Sequence, residues 1–477
     1  MPDVIVIGAG AAGVMAALRA ADLGATTALV SEGAFGGMTA RDGPVPVRTL
    51  AHAARLIREG RQLGLYGIEA GDQALSYPAL LARVRQVCDD VGAQSALRPQ
   101  LDALGVAVHE GAGQARFADP HTIVTASGLR LGAERFILCM GGASRGLAVP
   151  GAELTTTHSD AWALSSVPPS MMIIGAGATG AQVASIFNAF GTRVQLFEAG
   201  ERILRSEDQD VSSAMAAVFR QSGIVVRERF GVVESFEKVP GGVRMIVCRD
   251  GARESVEAAL AVVAVGWRAR TDGLDLERVG VRTDGRGFIA VDAHLRTSAT
   301  HVFAAGDVTG HLLVVPQAIH EGFVAGTNAV RGPTMSVGTD LMPTGSFTDP
   351  EYASVGLTEA AAAEKSDLVT AVAEFGSTTR AIIDGRTIGF CKLIVDRGTR
   401  RILGCHVVGE RAVDIVQVAT VAMVAGLRVE ELARVPFSFP TYAGILARAA
   451  VAATHALEPP ARARANEVAE STVASGL

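Results

Sequence analysis

The feature that most constrains this chain is one that occurs twice. Val4-Ile5-Val6-Ile7 is a short apolar run leading into Gly8-Ala9-Gly10-Ala11-Ala12-Gly13, and an Ala- and Leu-containing stretch follows to about Ala21. A G-x-G-x-x-G thereby falls between a predicted strand and a predicted helix, the context in which the pattern carries weight. The glycines permit a tight turn, close approach of backbone to a pyrophosphate and packing of helix on strand, while the helix N-terminus faces the phosphates. A second strand, Thr27 to Val30, ends at Ser31-Glu32, which sets a carboxylate where a ribose diol would lie. The order returns at Met171 to Ile174, Gly175-Ala176-Gly177-Ala178-Thr179-Gly180, a helix, the strand Arg193 to Phe197 and Glu198. A single match is as easily an ordinary strand-to-helix connection. Two matches, each with strand, helix and acidic terminus in register, predict two bound dinucleotides. Gly8, Gly10, Ala12, Gly13 and Glu32 are the candidate contacts at the first site, and Gly175, Gly177, Thr179, Gly180 and Glu198 at the second.

The rest of the composition narrows the class. A chain of 477 residues predicts about three domains. With a net charge of −6 and 19% charged residues, it gives no reason to expect nucleic acid or an anionic membrane as partner, so a small molecule is expected. No uninterrupted apolar stretch reaches the ~20 residues of a membrane span. The apolar N-terminus lacks a basic leader and is broken by glycines, unlike a signal peptide. Cys88, Cys139, Cys248, Cys391 and Cys405 are far apart with no C-x-x-C, which excludes a zinc site or disulfide framework as the organising feature. A cytoplasmic location is expected.

Spacing alone does not assign the two dinucleotides. Residues 34 to 50, Ala-Phe-Gly-Gly-Met-Thr-Ala-Arg-Asp-Gly-Pro-Val-Pro-Val-Arg-Thr-Leu, resemble the G-G-T-C-x4-C-V-P-S-K-T-L signature of the class I flavoprotein disulfide reductases, also called pyridine nucleotide-disulfide oxidoreductases. Phe303-Ala304-Ala305-Gly306-Asp307-Val308 resembles that family's second flavin motif. Cys139-Met140-Gly141-Gly142 and Ala264-Val265-Gly266 resemble the segments that close its FAD and NAD domains. Phe347 to Glu351, Val355 to Glu359, Ile388 to Val395 and Ile402 to Gly404 are similar to its dimerisation domain.

The resemblance runs to about residue 455. It implies an α/β fold of two Rossmann-like dinucleotide-binding domains (three-layer ββα) and an α+β C-terminal dimerisation domain. The implied boundaries are 1–150 for the first part of the FAD domain, 151–270 for the NAD domain, 271–338 for the central part of the FAD domain and 339–456 for dimerisation. A mobile tail is expected at 457–477. FAD is assigned to the first fingerprint and a nicotinamide cofactor to the second. Gly37, Met38, Thr39, Arg48, Ala115, Gly141, Gly266, Gly306 and Asp307 join the cofactor contacts, with Asp307 accepting hydrogen bonds from the ribityl chain. A helix over Val315 to Val330, with Pro316 in its first turn, points its N-terminus at the flavin. A carboxylate at Glu198 hydrogen-bonds a 2′-hydroxyl and repels a 2′-phosphate, so NADH is expected over NADPH, although Arg202 and Arg205 lie near enough to soften the repulsion.

The departures matter as much as the matches. The two cysteine positions hold Thr39 and Pro44, and a dithiol relay needs two sulfurs. The family's H-P-T-x-x-E, which supplies a His-Glu pair to the other subunit, reads Phe439-Pro440-Thr441-Tyr442-Ala443-Gly444 here. Its Lys beside flavin N5 and that Lys's Glu partner have become Arg48 and Gln182, a permanent cation beside a neutral amide. The acceptor is then expected to meet reduced flavin directly, in a pocket of Thr39, Arg41, Arg48 and the partner subunit's Phe437, Phe439 and Tyr442. The catalytic candidates are Thr39, Arg48, Gln182, Phe439 and Tyr442.

The implied enzyme is an FAD-dependent NAD(P)H oxidoreductase acting on a quinone or an activated carbonyl or alkene. Two other functions stay open: a soluble pyridine nucleotide transhydrogenase, and a non-catalytic FAD-binding sensor or subunit. Bland readings also stand beside the functional ones. Thr39 and Pro44 fit mere replacement after lost activity, Phe437, Phe439 and Tyr442 fit core packing, Arg41 and Asp42 fit solvated loop charges, and His320 fits a packing role.

Overall fold

A computed structural model of the chain describes residues 1–69, 71, 74–94, 96–338 and 341–458. They form two units, one of residues 1–203 and 219–338, the other of residues 204–218 and 341–458. The expected mobile tail lies outside the described residues beyond Glu458, while Leu457 closes a helix, Gly444–Leu457, and is buried.

The first unit holds two parallel sheets. In the first, the strands run in the order Val302–Ala304, Arg135–Leu138, Val4–Ile7, Thr27–Val30, Ala107–His109. Val4–Ile7 is buried along its whole length, as a near-continuous β-branched run in a parallel sheet should be. Ile7 stands opposite both Val30 and Leu138, so the carboxyl ends of three strands align where the chain order reverses, the place where open α/β sheets bind ligands. An antiparallel sheet of Ala115–Asp119, Thr122–Thr125 and Arg130–Gly132 covers one face, with Phe117 set edge-on to Phe136 at 5.1 Å. The helices Ala11–Asp22 and Val315–Arg331 cover the other. They cross at backbone contact, since a Cβ at Gly322 would lie 2.2 Å from the carbonyl oxygen of Ala12.

The second parallel sheet, Val225–Glu228, Arg193–Glu198, Ser170–Ile174 and Leu260–Val263, repeats the plan. Its antiparallel cover is Val232–Val239, Gly242–Arg249 and Ala252–Ala258, and its fingerprint helix is Ala178–Ala189. These are the three-layer ββα domains implied by the sequence. A ribbon of Gly142–Ser144 paired antiparallel with Trp267–Ala269 links them.

The second unit is an antiparallel sheet ordered Thr344–Ser346, Glu351–Gly356, Ile402–Gly409, Phe390–Asp396, Leu368–Glu374, backed by Ala412–Val424 and Gly444–Leu457. Residues 204–218, expected within the NAD domain, group with this unit. The reason is electrostatic: Lys392, 2% exposed, holds Asp208 at 2.9 Å and Asp210 at 2.6 Å, and Glu207 accepts the Ser354 hydroxyl at 2.9 Å.

Candidate functional site

The first fingerprint forms a cradle that only glycine can line. A Cβ at Gly13 would lie 1.7 Å from the carbonyl oxygen of Gly8, while the Cβ direction of Gly10 meets nothing within 4 Å. That open space is what close approach of a pyrophosphate needs. Gly37, at φ +56°, rests on the cradle with its Cβ direction 2.8 Å from Gly10 Cα, which brings Gly37, Met38 and Thr39 to the fingerprint. Gly306 reaches it from the other side, 2.9 Å from Ala12 Cβ by the same measure. The next residue, Asp307, is half-buried, and its carboxylate accepts no hydrogen bond from the described residues. Burial, and then the charge of Glu321, push it up to about 6. A half-buried acceptor without donors among the described residues, beside a phosphate cradle, fits the ribityl hydroxyls of FAD. Ala115 is buried at the start of the covering sheet, and Gly141 precedes the linking ribbon.

The second cradle has the same form. A Cβ at Gly180 would lie 1.9 Å from the carbonyl oxygen of Gly175, and Gly177 faces open space. Thr179 is in the first turn of the fingerprint helix, and Gly266 accepts the Arg145 N–H at 2.9 Å at the ribbon. Glu198 accepts the N–H of Ala176 at 3.1 Å and of Gly200 at 2.8 Å. Its carboxylate is therefore fixed against the cradle with lone pairs to spare, an arrangement that fits the ribose of a nicotinamide dinucleotide.

Glu32 ends its strand as expected, but it pairs with Arg270 at 3.1 Å. No local pattern marks Arg270, which stands 238 positions away and is delivered by the ribbon.

The stretch that holds Thr39 and Pro44 is two helices, Gly37–Arg41 and Pro44–Gly60. Pro44 begins the second helix, where its missing N–H costs nothing. Asp42 and Gly43 both donate their N–H to the carbonyl of Met38, at 2.9 and 2.7 Å. Arg48 lies on the exposed side of the second helix. That helix packs on Ala178–Ala189, with Arg58 donating to the Ser185 carbonyl at 2.6 Å and Arg61 to that of Ala189 at 3.2 Å. Those cations suit the negative end of a helix. Gln182, on the packed helix, donates to the carbonyl of Ala178 at 3.1 Å.

Asp42 is more than a solvated loop charge, because it accepts the Ser159 hydroxyl at 2.5 Å. His158, beside it, is buried, hydrogen-bonded through Nδ1 to Ser144 Oγ at 3.2 Å and edge-on to Trp267 at 5.2 Å. Burial lowers its pKa, against the pull of Asp42 and Asp160. Sequence reasoning passed over His158 and Ser159, and no local pattern marks them.

It also passed over Glu321. This fully buried carboxylate accepts the N–H of Gly306 at 2.7 Å, the Thr309 hydroxyl at 3.3 Å, and Gln317 and His311 each at 2.8 Å. A single carboxylate in a helix otherwise poor in charge was the available signal.

In the second unit, Phe439 is 81% exposed, whereas Phe437 and Tyr442 pack on that unit's core. The Tyr442 hydroxyl donates to Asp384 at 2.7 Å, and its ring meets Phe375 at 6.2 Å. The packing reading therefore fits Phe437 and Tyr442, while Phe439 stays outside that core.

Comparison with known proteins agrees with this geometry. Residues 2–322 match the family described as "Pyridine nucleotide-disulphide oxidoreductase", and residues 342–450 match its dimerisation domain. The chain is 33% identical over 457 residues to a "Mercuric reductase" of Streptomyces lividans, covering 94% of this chain and 95% of that protein. It is 31% identical over 463 residues to "Dihydrolipoyl dehydrogenase 3" of Haloarcula marismortui, covering 94% and 95%. A "Soluble pyridine nucleotide transhydrogenase" of Mycobacterium tuberculosis is 31% identical over 462 residues, covering 94% and 96%. In fold, the chain superposes on the HOCl-induced flavoprotein disulfide reductase RclA of Escherichia coli with a TM-score of 0.83 at 24% identity, covering 94% and 99%.

Proposed function

This chain belongs to the pyridine nucleotide-disulphide oxidoreductase family, whose enzymes use FAD and a pyridine nucleotide, and we propose that it passes electrons from NADH to a small acceptor with no dithiol relay. The observation that carries the reading is Thr39 and Pro44 at the two relay positions. Neither side chain can form a thiolate or a disulfide. Of the five cysteines, Cys139, Cys391 and Cys405 are buried, and Cys88 and Cys248 are half-buried on separate elements. FAD, when bound, supplies the two-electron step between nicotinamide and acceptor.

The chain's own residues divide the remaining work. Gly8 to Gly13 and Asp307 hold FAD, and Gly175 to Gly180 and Glu198 hold the nicotinamide dinucleotide. Glu198 favours NADH, because a carboxylate committed to the cradle backbone meets a 2′-phosphate with repulsion. Thr39, Arg41 and Arg48 line the acceptor side, and Gln182 stands on the fingerprint helix packed against that of Arg48. A cation and an apolar mouth suit a flat, electron-poor acceptor such as a quinone or an activated carbonyl or alkene.

A homodimer through the C-terminal domain would add Phe439 of the partner subunit. Val421 and Val424, 62% and 69% exposed on Ala412–Val424, leave an apolar face for such an interface. Among the described residues no helix is long and apolar enough to cross a membrane, and we place the enzyme in the cytoplasm.

A transhydrogenase is the second reading. It is favoured by Phe437-Ser438-Phe439-Pro440-Thr441, which resembles the F-x-Y-P-T element of those enzymes, and opposed by Glu198. The deciding experiment reduces the FAD-loaded enzyme anaerobically with NADH, then mixes it with menadione, oxidised glutathione, lipoamide or NADP⁺. Fast reoxidation by menadione alone is expected. Fast reoxidation by a disulfide overturns the reading, and by NADP⁺ moves the transhydrogenase to first place.

A further inference from the structure

Arg270 is fixed by its backbone before its side chain reaches anything. It stands opposite Gly141, one position beyond the Ala269–Gly142 pair that ends the linking ribbon, and donates its N–H to the Gly141 carbonyl at 3.1 Å. The chain beyond it is held to the covering sheet, because Gln114 donates to the Asp272 carbonyl and Leu274 accepts the N–H of Phe117 at 3.0 Å. From that anchored position the guanidinium donates through Nη2 to Glu32 Oε2 at 3.1 Å.

The two ends of this bridge flank the first cradle. Leu138 and Val30 both stand opposite Ile7, so Arg135–Leu138 and Thr27–Val30 are the strands on either side of Val4–Ile7. Gly141 follows the first of these by three residues, Glu32 follows the second by two, and Gly8 follows the middle strand directly. Gly8 is itself pressed into this row, its Cβ direction 2.2 Å from the Cys139 carbonyl oxygen. The outer strands lie about 10 Å apart, twice the spacing of neighbours. Arg270 crosses that gap, backbone on one side and side chain on the other, at the edge where Gly8 to Gly13 form the cradle.

An exposed ion pair of this kind adds little to stability, so its placement is the informative property. A carboxylate set for a ribose diol repels a pyrophosphate bound nearby, and a cation beside it offsets that repulsion. Glu32 keeps its other oxygen for the diol. A guanidinium has five donors, so it can hold a carboxylate and still donate to phosphate. We propose that Arg270 is a further FAD-binding residue, which positions Glu32 for the adenosine ribose and donates to the pyrophosphate. This rests on the reading above that the first cradle holds FAD.

The test follows FAD release from the diluted holoenzyme by flavin fluorescence, in the wild type, Arg270→Gln, Arg270→Lys, Glu32→Gln and the double variant Arg270→Gln/Glu32→Gln. Arg270→Gln should release FAD about tenfold faster, the scale of one lost hydrogen bond to a charged group. Arg270→Lys keeps the charge without the fork and should fall between. Salt should speed release from the wild type more than from Arg270→Gln, a difference that a merely structural role would not produce. The double variant should release FAD more slowly than the product of the single effects, because one residue acts partly through the other. A wild-type rate in Arg270→Gln overturns the proposal, as does a double variant that matches that product. Gly10→Ala separates this failure from that of the FAD assignment, since Gly10 is extended, at φ −81° and ψ −173°, and its Cβ would meet no protein atom within 4 Å, only the space assigned to the pyrophosphate. Fast release from Gly10→Ala with slow release from Arg270→Gln removes Arg270 alone. Wild-type release from Gly10→Ala removes the first cradle as the FAD site, and Arg270 with it.

Discussion

Glu321 accepts the backbone N–H of Gly306 at 2.7 Å, so a fully buried carboxylate stands behind the residue that presents Asp307. A negative charge so close disfavours ionisation of Asp307. Burial and the charge of Glu321 put Asp307 at about 6. Ribityl hydroxyls donating to Asp307 favour its ionised form, so binding FAD must lower that pKa and release a proton. By linkage the affinity for FAD falls as pH drops through about 6. Glu321→Gln keeps an oxygen for the Gly306 N–H but removes the charge, which should move the fall to lower pH. Equilibrium dialysis with fluorescence of the released flavin measures both, and a pH-independent affinity across that range would refute the assignment of Asp307.

With no relay thiols, the NADH-reduced enzyme should have the spectrum of plain reduced flavin, with no long-wavelength thiolate charge-transfer band, and arsenite should not inhibit it. Such a band on titration with NADH would mean that a cysteine elsewhere has taken over. Cys88 is the first to examine, since burial and Asp89 raise its pKa while Arg41, on the helix that carries Thr39, pulls it down.

Glu198 should impose a preference of at least about tenfold for NADH over NADPH, roughly 1.4 kcal/mol. Its two backbone hydrogen bonds prevent it from swinging away from an incoming 2′-phosphate. Comparison of kcat/KM for the two donors tests this, and equal values would contradict it. Glu198→Gln should narrow the gap.

Both cradles could be read from the sequence because pyrophosphate binding dictates glycine at fixed short spacings. The Gly13 and Gly180 contacts are the three-dimensional form of that spacing. The helix Val315–Arg331 was equally legible from Pro316 and its apolar run. What could not be read were pairings between charged or polar groups far apart in the chain. Asp42 and Ser159 are separated by 117 positions, Glu32 and Arg270 by 238, and Asp208 and Lys392 by 184. No periodicity records such a pair, because each partner alone looks like an ordinary surface charge. The same limit applies to Tyr442, whose aromatic character was legible but whose hydroxyl partner, Asp384, depends on the fold.

Arg48 should tune the flavin. If it lies within ~4 to 6 Å of the ring, its charge favours the anionic reduced form by about 1 kcal/mol or more. Since roughly 30 mV corresponds to 1.4 kcal/mol for a two-electron couple, Arg48→Met should lower the midpoint potential by tens of millivolts. Gln182→Glu, which restores a carboxylate on the helix packed against that of Arg48, should act in the same direction. Spectroelectrochemical titration measures the shift, and unchanged potentials in both variants would remove Arg48 from the site.

Lys392 is the group on which the second unit should depend most. Burial alone would lower its pKa, but the hydrogen bonds it donates to Asp210, Glu359 and Asp208 reverse the sign and raise it. Asp208, 2% exposed, is pushed up by burial and held below its usual value by the N–H of Glu359 and by Lys392. The carboxylate term is present above the unfolded pKa of about 3.9 and is lost as pH falls through the lower folded value, while the lysine term is lost only as pH rises above about 10.4. His406 is buried on the next strand, donates to the Leu357 carbonyl at 2.9 Å and has its pKa lowered by burial. The unfolded chain takes up that proton first, so stability should already decline below about pH 6.5. Lys392→Met leaves Asp208 charged in the interior and should cost about 3–5 kcal/mol. Asp208→Asn removes the same interaction from the other side, so the double variant should lose less than the two singles together. Denaturant unfolding of the four proteins gives the coupling energy, and additivity within about 0.5 kcal/mol would show that Lys392 and Asp208 do not act as a pair.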